Sequence, residues 1–218
     1  MNGRPAGYFS QDRADLVAAL PLPLGRVLDV GCGEGAAARP LRARGATWVS
    51  GIELDPEAAE RARAVLDEVV HGRAEESLGL VAGPFDTVLA YDVLEHLPDP
   101  APLLAGLRAV ASPAARLHVS VPNARHWSLV RDLLLRGTFG YAQWGHRDAT
   151  HLRWLTRRDL EALLREAGWE PVPGSHPALS GRRRALHRAT GGRLAELTFV
   201  QWVALAYRRP DPAAAPVS

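Results

Sequence analysis

Residues 27–35 read VLDVGCGEG, a short apolar run that leaves through three alternating glycines, Gly31, Gly33 and Gly35. Such a run is a buried strand, and glycine at its exit permits positive φ and a close backbone approach. A strand turning this way into a helix presents amide groups at the helix N-terminus, a site for a nucleotide phosphate or an amino-acid carboxylate. Glu53 lies twenty-two residues beyond Gly31, at the end of the next predicted strand. A carboxylate there can accept hydrogen bonds from both hydroxyls of a ribose.

The rest of the chain repeats the alternation. Strands are predicted at 26–30, 47–52, 69–71, 85–91 and 116–121, with helices at 11–20, 34–44, 55–67 and 100–110. Strand–helix alternation implies a parallel sheet covered on both faces, an α/β Rossmann-like three-layer αβα sandwich. After Pro122 the pattern predicts a helix over 123–136, a loop rich in histidine and aromatic residues to His151, a helix over 156–167, and strands at 169–172 and 198–207. Residues 1–210 read as one domain and 211–218 as a disordered tail.

Composition narrows the function. The 26 basic residues, all arginine, against 24 acidic ones give a net charge of +2, too little for a nucleic-acid footprint. Cys32 is the single cysteine, which excludes an internal disulfide and a Cys-based zinc site and fits a reducing compartment, the cytoplasm. No apolar run approaches the length of a signal-peptide core or a membrane span. A lipid-linked substrate at a membrane surface stays open, as does the oligomeric state.

Gly31, Gly33 and Ala36 also satisfy the loose dinucleotide pattern GxGxxG/A, so the glycines alone fit two cofactor classes. Asp29 separates them. A carboxylate two residues before the turn repels a pyrophosphate and suits the cationic amine of a methionine moiety. The segments VLDVGCGEG, GIELDPEAAERAR, FDTVLAYDVLEHLPDP and LHVSVPN, in that order over residues 26–123, resemble the successive motifs of class I S-adenosylmethionine-dependent methyltransferases. The resemblance implies a mostly parallel seven-stranded sheet whose last strand is antiparallel. It also implies S-adenosylmethionine as cofactor, held by Asp29, Gly31, Cys32 and Gly33 at the methionine end and by Glu53 at the ribose. Leu54 would pack on the adenine and Tyr91 would border the cofactor. Where the family often has an acid that bonds the adenine, this chain has Arg73, and the amide of Ala74 is the substitute. Tyr8, with Phe9, would belong to an N-terminal lid helix.

The acceptor end rests on two stretches. Asp92, Glu95 and His96 follow the fourth strand, where ligands sit in open parallel sheets. GHRDATHLRWLT, residues 145–156, resembles the D-x-T-H-L-R-F-F-T pattern of a bacterial subgroup from glycan, lipid and natural-product pathways. His151, with His146 and Asp92, is thereby the catalytic candidate, a general base for an acceptor hydroxyl. Asp92-x-x-Glu95-His96 with the distant His151 is also similar to the E-x-x-E-H…H divalent-metal site of ubiquinone-pathway and small-RNA O-methyltransferases, with Asp92 in place of a glutamate. Trp127, Tyr141 and Trp144 would wall an acceptor pocket in an acceptor-side insertion over about 123–155, whereas Trp169 and Trp202 read as core. Arg182, Arg183, Arg184 and Arg188 form either a phosphate-binding or a solvated loop. The acceptor is a small molecule or a glycan- or lipid-linked group. A nicotinamide dehydrogenase and a non-catalytic cofactor-binding protein are the rival readings.

Overall fold

A computed structural model describes residues 13–143, 145–174, 185, 188–192 and 194–210. Tyr8, Phe9, Trp144, Arg182, Arg183, Arg184 and the tail after Pro210 lie outside them. The strands are β1 (Gly25–Val30), β2 (Ala46–Glu53), β3 (Glu68–His71), β4 (Phe85–Tyr91), β5 (Ala111–Pro122), β6 (Trp169–Pro171) and β7 (Gln201–Arg208). They form one sheet in the order β3-β2-β1-β4-β5-β7-β6. The pairs among β1 to β5 are parallel, and β7 is antiparallel to both β5 and β6. The fold class read from the sequence holds.

Helices α1 (Ala14–Ala18), α2 (Ala38–Ala43), α3 (Pro56–Ala62), α4 (Ala74–Ser77), α5 (Ala101–Val110), α6 (Trp127–Arg136) and α7 (Arg157–Glu166) connect the strands. Side chains alternate across a strand, so β1 and β4 each feed two cores. Leu28, Val30, Val88 and Ala90 pack with α5 and α7, while Val27, Leu89 and Tyr91 pack with α1 and α2. Both cores are built mostly of residues under a tenth exposed.

Several boundaries differ from the sequence reading, each with a local cause. The helix expected from Glu34 starts at Ala38, because Gly33 and Gly35 sit at φ 55° and 77°, outside the helical region. α3 starts as expected on the Asp55 cap, which accepts from the amides of Glu57 and Ala58, with Pro56 in the first turn. It ends by Arg63, and Asp67 then turns its carboxylate to the Val49 amide at 2.7 Å. α6 starts late because the Asn123 side chain is fully engaged: it donates to the carbonyls of Glu196 and Phe199 and accepts from the Trp202 indole and the Arg125 amide. Trp169 and Trp202 are buried core residues, as read. The short α4 had no counterpart in the sequence reading.

Two features of this topology position the site. The chain runs from β1 outward to β2 and β3, then returns to β4 and β5 on the other side, so a crevice opens above the carboxyl ends of β1 and β4. Because β7 runs backwards, its first residue, Gln201, pairs with Pro122 at that same end of the sheet.

Candidate active site

A cleft of about 680 Å³ opens there, and the sequence-predicted residues Asp29, Gly31, Cys32, Gly33, Glu53, Leu54, Ala74, Tyr91, Asp92, Glu95, His96, His146 and His151 all line it. Arg13 and Gln201, which the sequence reading passed over, line it too.

The glycine turn does its work differently from the expectation of free amides. Gly31 and Cys32 both donate to the Ile52 carbonyl, at 2.8 and 3.2 Å, and Gly33 donates to Glu53 Oε2 at 2.8 Å. The amides of Gly31, Cys32 and Gly33 are thus spent inside the protein, and α2 starts only at Ala38. The rival dinucleotide reading loses the amides of its first two glycines as phosphate donors. What the turn provides is closeness. Gly31 sits at φ 72°, and a Cβ there would lie 2.8 Å from Val93 Cγ2. A Cβ on Gly51 beneath it would lie 2.5 Å from Cys32 Sγ.

Glu53 Oε1 accepts from the Asp55 amide at 2.8 Å, so each oxygen makes one bond within the protein. A carboxylate offers about four acceptor positions, which leaves room for two ribose hydroxyls. Asp29 is 5% exposed. Burial, then the neighbouring charge of Glu53, push its carboxyl up to about 7, with Arg13 opposing. Arg73 turns to Glu75 and Glu76, and Ala74 opens α4 at the cleft wall. Tyr91 presents its ring, and its hydroxyl contacts His118 Nδ1 at 2.7 Å. Burial pushes the phenol up and the imidazole down to about 4, so a neutral phenol meets a neutral imidazole.

Asp92 sits at φ 55°, rare for a residue with a side chain. Its Oδ1 accepts from Gln201 Nε2 at 2.6 Å and Ser120 Oγ at 3.2 Å, and Oδ2 is ion-paired with Arg13. It does not join the group of possible metal ligands, which is Glu95, His96 and His151, their ligating atoms all within 4.8 Å of one another. The expected four-residue set is therefore three, because Asp92 is captured by the chain's own arginine and glutamine. Arg13 was detectable in sequence as a cation at a helix N-terminus, where the helix dipole disfavours it.

The D-x-T-H-L-R stretch explains how His151 arrives. Asp148 accepts from the Thr150 amide and hydroxyl at 2.8 and 2.7 Å. The amides of Leu152 and Arg153 both donate to the Glu95 carbonyl, at 2.8 and 3.0 Å. Arg153 Nε donates to the Pro98 carbonyl at 2.8 Å. The loop is strapped to the end of β4, and His151 faces His96 with ring centroids 4.9 Å apart. Burial, then His96, lower the pKa of His151, so its imidazole is neutral at physiological pH. Its Nδ1 has no hydrogen-bond partner among the described residues, and neither has either oxygen of Glu95. Glu95 is 1% exposed, and burial, then Asp92, raise its pKa well above the ordinary value. An uncompensated buried carboxylate is costly unless it takes a proton or a cation. A buried carboxylate with a neutral imidazole beside it fits a divalent ion of the Mg²⁺, Mn²⁺ or Zn²⁺ type.

His146 is neutral as well, pushed down to about 4 mainly by burial, and packs beside His126 and Trp154. Trp127 and Tyr141, expected to wall the acceptor pocket, are not part of the cleft: they are 50% and 60% exposed. The helix that carries Trp127 buries Leu129 and Asp132 instead, which turns the indole outward.

The model of a methyltransferase-domain family matches residues 6–173. The chain belongs to that family. It is 34% identical over 165 residues to a ubiquinone biosynthesis O-methyltransferase of Thiobacillus denitrificans, covering 69% of this chain and 66% of that protein. A protein of the same description from Aromatoleum aromaticum is 32% identical over 160 residues, covering 66% and 64%. The chain thus spans just under two thirds of the length of these relatives. Its fold matches a crystal structure of a Burkholderia thailandensis 1,6-didemethyltoxoflavin-N1-methyltransferase with bound S-adenosylhomocysteine, at TM-score 0.57 and 23% identity over 92% of this chain and 78% of that one.

The motifs around Asp29 imply S-adenosylmethionine as the ligand of this cleft, and on that expectation the raised pKa of Asp29 makes the affinity depend on pH. A carboxyl raised in the folded protein favours folding below its unfolded value near 3.8, and that stabilisation is lost as pH rises through about 7. A cationic ligand needs the ionised form. The affinity for S-adenosylhomocysteine therefore falls as pH drops below 7, by up to about tenfold per unit. Calorimetry in buffers of different ionisation enthalpy should also register proton release on binding below that pH. A flat profile from pH 5 to 8 would remove Asp29 from the amine site.

Proposed function

We propose that this methyltransferase transfers the methyl group of S-adenosylmethionine to a hydroxyl oxygen of a small acceptor, and that His151 takes the hydroxyl proton. The observation that carries this reading is His151 itself, a neutral imidazole with a free Nδ1, fixed by its loop at the cleft wall. The relatives named as O-methyltransferases support it. In the transfer, the acceptor oxygen forms a bond to the methyl carbon, the carbon–sulfur bond breaks with its electrons going to sulfur, and the proton passes to the imidazole. The sulfonium is already activated, so the chain contributes mainly orientation, which accounts for a large share of such rate enhancements.

Each cofactor residue has a role in this reading. Asp29 holds the amine, Arg13 the carboxylate, Glu53 the ribose, and Leu54 and the amide of Ala74 the adenine. In the alternative reading, Glu95, His96 and His151 would instead hold a divalent cation, which would lower the pKa of the acceptor hydroxyl in place of the imidazole base. Asp92 then serves as a positioning residue that fixes Arg13 and Gln201, and His146 borders the acceptor. Residues 1–210 act as one domain, with 123–155 on the acceptor side, and the lone buried cysteine suits the cytoplasm.

A screen with methyl-labelled cofactor against phenols, catechols, sugars and hydroxylated lipid headgroups, with and without Mg²⁺ or Zn²⁺, tests the reading. The expected product is a methyl ether carrying one label. Transfer confined to amine acceptors would overturn it.

A further inference from the structure

Among the described residues, two that carry side chains have a left-handed backbone, Arg13 at φ 49° and Asp92 at φ 55°. Away from glycine such a conformation is costly, and it persists where the surrounding structure fixes it, often at a functional site. Here the two residues are ion-paired with each other across the cleft. Asp92 is held from two further sides, by Gln201 at 2.6 Å and Ser120 at 3.2 Å. The pair is thus set by the residue before α1, the exit of β4, a residue of β5 and the first residue of β7.

Asp92 stands between the two halves of the cleft. It is the first residue after β4, whose Ala90 pairs with Val30 of β1, so it emerges beside the glycine turn. The next residue, Val93, comes so near that turn that a Cβ on Gly31 would lie 2.8 Å from its side chain. On the acceptor side the charge of Asp92 acts on Glu95 and His96, and on the methionine side the charge of Arg13 acts on Asp29. Arg73, the other arginine of the lining, is turned to Glu75 and Glu76. In a donor whose amine is at Asp29 and whose ribose is at Glu53, the sulfur joins those two ends and its methyl group faces the acceptor side. Asp92 is the carboxylate placed between these groups.

We propose that Asp92 is the counter-charge of the donor's sulfonium and that Arg13 takes the sulfonium's place when the cleft is empty, so that the pair makes the cleft prefer the methyl donor to its demethylated product. The inference rests on the reading above, in which Asp29 holds the amine of S-adenosylmethionine and Arg13 its carboxylate. The donor brings one carboxylate and one sulfonium. The carboxylate engages Arg13, the sulfonium engages Asp92, and every charge keeps a partner. On transfer the carbon–sulfur bond breaks, its electron pair stays on sulfur, and the sulfonium becomes a neutral thioether. Asp92 and the product's carboxylate then share Arg13. Two carboxylates facing one cation repel each other, so the product is held less tightly than the donor.

The test is calorimetry of the full chain with S-adenosylmethionine, S-adenosylhomocysteine and sinefungin, whose cationic amine replaces the methylated sulfonium. The donor and its product share the same amine, carboxylate, ribose and adenine, so the ratio of their affinities isolates the sulfonium charge. A change that only loosens the site moves both affinities and leaves the ratio alone. In Asp92→Asn the ratio should fall by at least about tenfold, and sinefungin should follow S-adenosylmethionine. In Arg13→Gln both ligands should bind more weakly through their carboxylates, yet the ratio should rise, because the cation that opposes the sulfonium is gone. The Arg13 side chain is 26% exposed, so this second variant should fold even if the first does not. A ratio in Asp92→Asn within about twofold of wild type overturns the proposal. So does a ratio that falls in Arg13→Gln, or a loss for S-adenosylmethionine that sinefungin does not share. A wild-type protein that binds none of the three ligands would sink the donor reading and this proposal with it, whereas wild-type binding with unmoved ratios sinks the proposal alone.

Discussion

Glu53→Ala should bind S-adenosylhomocysteine at least about a hundredfold more weakly than the wild type, because it removes two charge-assisted hydrogen bonds worth about 1.5–3 kcal/mol each. The same substitution acts on the empty protein. The amides of Gly33 and Asp55 lose their acceptor, and a buried donor left unpaired costs about 1–3 kcal/mol. An opposing effect comes from Asp29, whose carboxyl Glu53 helps to push upward. Without Glu53 the Asp29 pKa falls, which relieves part of the loss above pH 7. The thermal midpoint should drop most at acid pH, where Asp29 is protonated in either protein. Calorimetry and melting curves from pH 5 to 9 measure both effects. An affinity within about threefold of wild type would show that Glu53 serves only to brace the glycine turn.

His151→Ala should lower kcat by about 10² to 10⁴, the usual span for removing a general base, with cofactor affinity intact. In the wild type the acid limb of the kcat profile should fall below the ordinary histidine value of 6.5, since burial and His96 both lower the pKa of His151. Glu95→Gln isolates the other half of the pair. Glu95 is raised in the folded state, so its contribution to stability is present below the unfolded carboxylate value and lost as pH rises through the folded one. Replacing it with a neutral amide should stabilise the metal-free protein by about 1 kcal/mol or more, and most at alkaline pH. If the three residues hold a cation, the variant also loses the thermal shift that Mg²⁺ or Zn²⁺ gives the wild type. Equal melting of both proteins above pH 8 would mean that Glu95 is compensated by a neighbouring group, and the metal assignment would fall with it.

The site was legible to different depths. The cofactor half was written locally: the glycine turn, Asp29 before it and Glu53 after it occupy fixed positions on adjacent strands, and strand periodicity decides where they point. The acceptor half depends on distant pieces meeting. Glu95 and His151 were read as candidates from motif, but their shared burial follows from the loop at 148–153 folding back onto the Glu95 carbonyl. Asp92 lines the cleft as read, but it stands apart from the three clustered ligand-type side chains for the same reason. Nothing near it in sequence announces that Arg13 and Gln201 will take its oxygens. Trp127 and Tyr141 were assigned to a pocket on composition, and the helix phase set by Asn123 and Asp132 put them outside.

The sequence by itself determined the layered α/β fold, its sheet and the methyltransferase family, because period-two strands, glycine turns and caps act within a few residues of where they are written. Only the tertiary structure decided that the turn's amides are spent inside the protein, that three ligand-type side chains converge without Asp92, and that α6 shows an apolar face to solvent. Those outcomes depend on which distant side chain reaches a buried charge first, and that competition is settled by packing in three dimensions.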